Sequence, residues 1–184
     1  MIVRKATAAD VPRILEIYAP YIRQTCITFE YLVPSDEDFL RRFEDISSLY
    51  PYFVACEENS GKVTGYAYAS RAFERAAFAW SADLSVYVDM DERGKGIGRM
   101  LVAAVEKELE QMGVCTVCAL ITGENTESVA FHKKLGYSHS GTLTAIGYKM
   151  GRWHDLHFYT KRICDTPCPP DIPGITQRFE TEGE

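Results

Sequence analysis

Nowhere in the 184 residues does an apolar run approach the roughly 18 consecutive residues that a membrane-crossing helix needs. The opening segment MIVRKATAAD also lacks the apolar core of a secretory leader, so the expectation is a cytoplasmic protein with no membrane partner. A large excess of either charge is missing too. The formal net charge is -6, yet residues 163–184 alone hold Asp165, Asp171, Glu180, Glu182 and Glu184 against Arg178, and the rest balances 21 acids against 19 bases. A body so close to neutral exerts no long-range pull on nucleic acid, so DNA and RNA are not expected partners. There is also too little chain for two full cores: one domain is expected over 1–162, followed by an acidic tail over 163–184 with four of the eight prolines.

Six cysteines invite a disulfide or zinc reading. Cys115 and Cys118 form a C-x-x-C, but they sit in CTVCALI, which reads as a strand, where residues three apart point to opposite faces. His154 and His157 are separated in the same way. No metal is expected, and the thiols read as buried or inert.

What is present is a regular alternation of strand and helix signals. IVRKA reads as a strand, and Thr7-x-x-Asp10 opens a helix with Val11, Ile14, Leu15 and Tyr18 on one face. Ser35-x-x-Asp38 opens a second helix through Phe39, Leu40, Phe43 and Ile46, with TCITFEYLVP as the loop between them. YFVAC and VTGYAYAS flank the turn Asn59-Ser60-Gly61-Lys62 as an antiparallel hairpin. In the next segment Phe78, Trp80, Ala82, Leu84, Val86 and Val88 are expected on one strand face, with Ser81, Asp83, Ser85 and Tyr87 on a polar one. A long helix follows Gly96 to about Met112, then CTVCALI as a central strand buried on both faces. A short helix spans Thr126 to Leu135, and strands run from Tyr137 to about Arg162. The order implies a mixed α/β (α+β) sheet with helices on both faces.

The stretch SVYVDMDERGKGIGRMLVAAVEKELEQMG carries the chemistry. Arg93, Lys95 and Arg99 crowd the amino end of its helix, and Glu106, Glu108 and Glu110 lie toward the carboxyl end. The helix dipole favours the reverse by roughly 0.3–1 kcal/mol per charge, a conflict that an anion bound at the helix start resolves. Gly94, Gly96 and Gly98 bare the backbone N–H groups that such an anion would meet. Neither the G-x-x-x-x-G-K-[ST] loop of nucleotide triphosphatases nor the dinucleotide G-x-G-x-x-G is present; residue 99, where the third glycine would fall, is arginine.

Arg93-Gly94-Lys95-Gly96-Ile97-Gly98 matches [QR]-x-x-G-x-[GA], the coenzyme A signature of the GCN5-related N-acetyltransferases, which the chain resembles over residues 1–162. Asn125, Ser128 and Phe131-His132-Lys133-Lys134-Leu135-Gly136-Tyr137 resemble the family's second block. ADLSVYV and GRWHDLHFYTKRI resemble its phosphinothricin and methionine sulfoximine acetyltransferase branch. The resemblance implies the family's acyltransferase fold, with a mostly antiparallel twisted sheet, acetyl-CoA as cosubstrate, a small amino acid-like amine as substrate, and a homodimer. It assigns the pantetheine arm to main-chain groups of Val86, Tyr87 and Val88, with the Val88 N–H on the thioester carbonyl. It gives the pyrophosphate to Gly94 through Arg99, and the pantetheine region or a bound water to Asn125.

Asp83, aligned with a glutamate of that branch, is the expected general base; one methylene shorter, it would act through water, unless it is an ordinary strand carboxylate. His132 stands where relatives carry the group that protonates the leaving thiolate, unless it is a packed structural histidine. Arg71 and Arg75, with Phe73 and Glu74, precede the Asp83 strand, where a guanidinium can grip an amino acid's carboxylate; solvated arginines are the other reading. Phe29 is a candidate pocket wall or an ordinary core aromatic. A peptide or ribosomal-protein acetyltransferase, and a noncatalytic coenzyme A sensor, are the competing functions.

Overall fold

A computed structural model describes residues 1–164. Seven strands, β1 (Ile2–Lys5), β2 (Tyr52–Cys56), β3 (Val63–Arg71), β4 (Ser81–Val88), β5 (Thr116–Thr122), β6 (Ser138–Lys149) and β7 (Arg152–Arg162), form one sheet in the order β1-β2-β3-β4-β5-β7-β6. Four helices accompany them: α1 (Val11–Gln24), α2 (Asp36–Ser47), α3 (Ile97–Gln111) and α4 (Thr126–Lys134). Every neighbouring pair is antiparallel except β4–β5, which runs parallel and pairs only Ser81–Asp83 with Thr116–Cys118. Asp165, Asp171 and most of the expected acidic tail lie outside the described residues.

Local sequence explains each helix start. Asp10 accepts from the Thr7 backbone N–H at 2.8 Å and pairs with Arg4, closing a turn that leads into α1. Ser35 Oγ accepts from the Asp38 N–H at 3.1 Å at the head of α2. The sheet then buries two cores. On one face α3 lays Leu101, Val105 and Leu109 over Ala67, Leu84 and Val117; on the other α1 and α2 lay Ile14, Ile22 and Phe39 over Val54 and Tyr66. Burial of each such large side chain contributes roughly 1.5–3 kcal/mol. The acids late in α3 are matched from outside the helix: Glu106 takes Lys161 at 2.6 Å and the Tyr137 hydroxyl at 2.8 Å, and Glu108 takes Lys5 at 2.8 Å.

Three strand expectations need correction. The alternating strand begins at Ser81, because β3 ends at Arg71 opposite Ala82 and offers nothing earlier to pair with; Phe78 sits in a turn and packs on Phe73. The face of Asp83 and Tyr87 is not solvated: Tyr87 packs against Tyr18, Tyr21 and Tyr66. Finally, β5 starts at Thr116 and is not buried on both faces, since Leu120 is 39% exposed where the strand leaves β4.

Candidate active site

Because β5 stays hydrogen-bonded to β7 along its whole length while β4 stays with β3, the two central strands diverge after their three-residue contact. A cleft of about 360 Å³ opens beside the divergence and reaches the start of α3. Val86, Val88, Arg93, Gly94, Gly96, Ile97, Gly98, Arg99, Asn125 and Ser128, all singled out from the sequence, line it. Lys95 does not line it and pairs with Glu92 at 2.7 Å. Five lining residues carried no assigned role from sequence: Tyr21 and Ile27 from the end of α1 and the loop after it, Glu92 just before the glycine loop, and Glu127 and Phe131 from α4. Only Tyr21 and Ile27 come from a segment distant from the motifs.

The Asp89 N–H donates to the Thr64 carbonyl at 2.8 Å, which sets the alternation along β4. Tyr87, opposite Tyr66, spends its main-chain groups on β3, whereas those of Val86 and Val88 point into the divergence. The Tyr87 main chain is therefore not open to the part expected of it, whereas that of its two neighbours faces the cleft. The Val88 carbonyl is already engaged by the Tyr21 hydroxyl at 2.5 Å.

Gly94 and Gly96 have φ of 76° and 80°, values that cost L-residues strain, and a Cβ at either would meet no atom within 4 Å. The loop therefore faces open space with its backbone. Gly96 caps α3, whose first turn holds no acid, so the unpaired N–H groups and positive dipole end there suit a phosphate. Gly98 is needed for another reason: a Cβ there would stand 3.3 Å from the Phe131 ring of α4. Arg93 lies 5.2 Å from the centre of the Tyr21 ring and 3.8 Å from Glu127.

A smaller cavity of about 70 Å³ lies where the strands part, lined by Ile27, Ser85, Tyr87, Leu120, Ser128 and His132 among others. His132 is 3% exposed, wedged between Phe131 and Tyr137. Its Nδ1 lies 2.9 Å from the Ser128 carbonyl, which only an N–H at that nitrogen satisfies, while Nε2 is buried with no hydrogen-bond partner. Burial holds the imidazole below its usual pKa. The ring is thus neutral near pH 7 and offers a bare lone pair at Nε2.

Asp83 lies two residues before Ser85 on the same strand face, opposite Ser70 of β3 and beside Cys118 of β5. Burial alone pushes its carboxyl up to about 7. Cys118, buried and near that charge, is pushed up to about 11. Arg71 ends β3 one register step from Asp83. Phe73, Glu74 and Arg75 are exposed in the loop beyond it and line neither cavity. Phe29 packs instead on the β6–β7 hairpin, where a Cβ at Gly147 would stand 2.7 Å from its ring. His154 is buried beside Glu124, and His157 lies with His139 and Thr142 on the exposed side.

A cleft between diverging central strands, ending on an uncovered helix start with a raised carboxyl and a buried neutral imidazole nearby, suits acyl transfer. The chain belongs to the GNAT acetyltransferases: the family described as "Acetyltransferase (GNAT) domain" matches residues 3–158. It is an N-acetyltransferase of that family. It is 36% identical over 176 residues to a phosphinothricin N-acetyltransferase of Streptomyces viridochromogenes, covering 95% of this chain and 94% of that one. It is 34% identical to an L-methionine sulfoximine/L-methionine sulfone acetyltransferase of Pseudomonas paraeruginosa, covering 91% and 98%. A phosphinothricin acetyltransferase from Sinorhizobium meliloti, solved in complex with AcCoA, superposes with a TM-score of 0.89 at 34% identity, covering 95% and 96%. A ribosomal-protein-alanine N-acetyltransferase from Brucella melitensis superposes with 0.84 at 35% identity, covering 88% and 99%.

Proposed function

We propose that the protein moves the acetyl group of acetyl-CoA to the primary amine of a small amino acid or amino acid analogue of the phosphinothricin, methionine sulfoximine or methionine sulfone type. The observation that carries this reading is the divergence of β4 from β5, which frees the main-chain edge of Val86 and Val88 directly above the glycine loop. Acetyl-CoA supplies an activated acyl group; Gly94–Arg99 hold its pyrophosphate and the Val86 and Val88 edge pairs with its pantetheine arm. The Val88 N–H meets the developing oxyanion. Asp83, near neutral pKa, removes one proton from the substrate ammonium through water. As the C–N bond forms and the C–S bond breaks, His132 accepts the second amine proton at Nε2 and passes it to sulfur. Arg71 or Arg75 is our proposed partner of the substrate carboxylate, and Phe29, Phe73 and Glu74, none of which lines either cavity, are proposed to bound its side chain from outside them.

A coenzyme A sensor would need neither the bare Nε2 nor the raised carboxyl. The deciding experiment is a thiol-release assay with acetyl-CoA over phosphinothricin, methionine sulfone, methionine sulfoximine, free amino acids and short peptides. Turnover confined to peptides would replace this reading with the ribosomal-protein type. We take the domain as 1–162 and the location as cytoplasmic, consistent with free Cys26, Cys56, Cys115 and Cys118. No helix among the described residues is long and apolar enough to cross a membrane. A homodimer is supported by Ile146, Tyr148, Met150 and Trp153, each about half exposed or more along the β6–β7 hairpin. Light scattering on the purified protein tests it.

A further inference from the structure

The β6–β7 hairpin holds a polar cluster that the transfer chemistry does not use. His154 of β7 is 1% exposed, and both its nitrogens are engaged. Nδ1 lies 2.9 and 3.0 Å from the two Glu124 oxygens, and Nε2 lies 2.9 Å from the Lys149 carbonyl. Both partners are acceptors, so both nitrogens must carry protons, and the ring is an imidazolium. Cys26 completes a trio whose ligand atoms lie within 4.8 Å of one another, the spacing of a cation site. The Nδ1 proton on Glu124, with Arg152 3.8 Å from that carboxylate and the Lys149 ammonium alongside, makes the cluster a salt link instead.

Three segments meet at this link. Glu124 precedes Asn125, the residue that caps α4. The Lys149 ammonium, buried in the hairpin, donates to the Thr28 carbonyl at 2.7 Å in the loop between α1 and α2. Phe29 of that loop rests on Gly147, its ring centre 6.1 Å from that of His154. We propose that His154, as an imidazolium clamped on Glu124, is a positioning residue that seats the Cys26–Glu30 loop and its Phe29 against the hairpin, and so shapes the amine pocket. The inference rests on the reading of Phe29 as a wall of that pocket.

The groups facing the link are Glu124 from the β5–α4 loop, Arg152 from β7, Lys149 from β6, and Cys26 and Glu30 from the α1–α2 loop, the last two acting on Lys149. Asp155, next to His154, is occupied by the Ala145 N–H at 2.8 Å. The Glu124 carboxylate and the Lys149 carbonyl raise the His154 pKa above its ordinary value. A histidine raised in the fold stays clamped through acid and neutral pH and lets go as pH climbs through its folded pKa.

The test uses Glu124→Gln, which keeps shape and removes charge, beside His154→Gln. Four results are expected. Imidazole NMR should titrate His154 above 6.5 in the parent and lower in Glu124→Gln. Amide exchange over residues 26–30 should speed up in both variants. KM for the amine should rise roughly tenfold, the scale of one lost charge-assisted hydrogen bond, with kcat and the acetyl-CoA KM near parental. The ratio of variant to parent KM should shrink toward one as pH rises. Unchanged loop exchange and an unshifted imidazole would overturn the proposal. So would a loss falling equally on kcat and the acetyl-CoA KM. The two spectroscopic arms need no turnover, so they stand even if no amine on the panel is acetylated.

Discussion

The two halves of the proposed active site are built in opposite ways. The coenzyme half comes almost wholly from one continuous segment, β4, the glycine loop and α3, with α4 as a second short block. The amine half collects a loop after α1, the end of β3, the middle of β4 and a hairpin more than a hundred residues from that first loop. A continuous binding element writes its geometry into local sequence, whereas a collected one exists only after the chain has folded.

The sharpest way to break this contrast is Gly96→Asp. It places a strained L-residue and a negative charge where the phosphates would sit, so acetyl-CoA binding should vanish by calorimetry while the far-ultraviolet spectrum stays parental. Retained affinity would remove the phosphate site.

Asp83→Asn comes next and probes the amine half. Its kcat/KM should fall by ~10²–10⁴, and the acid limb expected of the parent near pH 7 should be absent from the variant. The stability effect has the opposite sign. A carboxyl raised in the fold holds its proton more tightly folded than unfolded, so it costs stability as pH rises from ordinary carboxylate values through about 7. Thermal unfolding at pH 8 should therefore show Asp83→Asn at least as stable as the parent. A parental acid limb in the variant would remove Asp83 as base.

His132→Phe sits at the junction of the halves. It should lower kcat about tenfold or more while calorimetric affinity for acetyl-CoA holds, because the ring closes the catalytic cavity without reaching the phosphate loop. An unaffected kcat would make the histidine structural. The smallest effect belongs to Arg75, in the exposed loop after β3. If it grips the carboxylate, the parent should prefer free acids over their amides by roughly ten- to a hundredfold, and Arg75→Ala should erase that preference. A preference retained in Arg75→Ala would move the role to Arg71, and equal KM values for acid and amide in the parent would remove carboxylate recognition altogether.

Legibility followed the same division. The glycine spacing and the reversed charges of α3 were readable because each is a short-range pattern tied to one helix start. What covers the polar face of Asp83 was not legible, because alternation reports which side chains share a face, not what covers it. Tyr18, Tyr66 and Tyr87 fill that face from α1, β3 and β4, and burial lifts the Asp83 carboxyl toward neutrality. Tyr21, Ile27 and Leu120 gave no signal as cleft residues, because they become neighbours only when β4 and β5 part.

Sequence by itself determined the sheet-and-helix order, the glycine loop at the head of α3 and the family, since hydrophobic period, caps and glycines act over a few residues. Tertiary structure alone decided that Val86 and Val88 rather than Tyr87 offer the free main-chain edge, that His132 Nε2 is bare, and that His154 is clamped on Glu124. Those facts depend on strand divergence and on desolvation by remote segments, which no local pattern encodes.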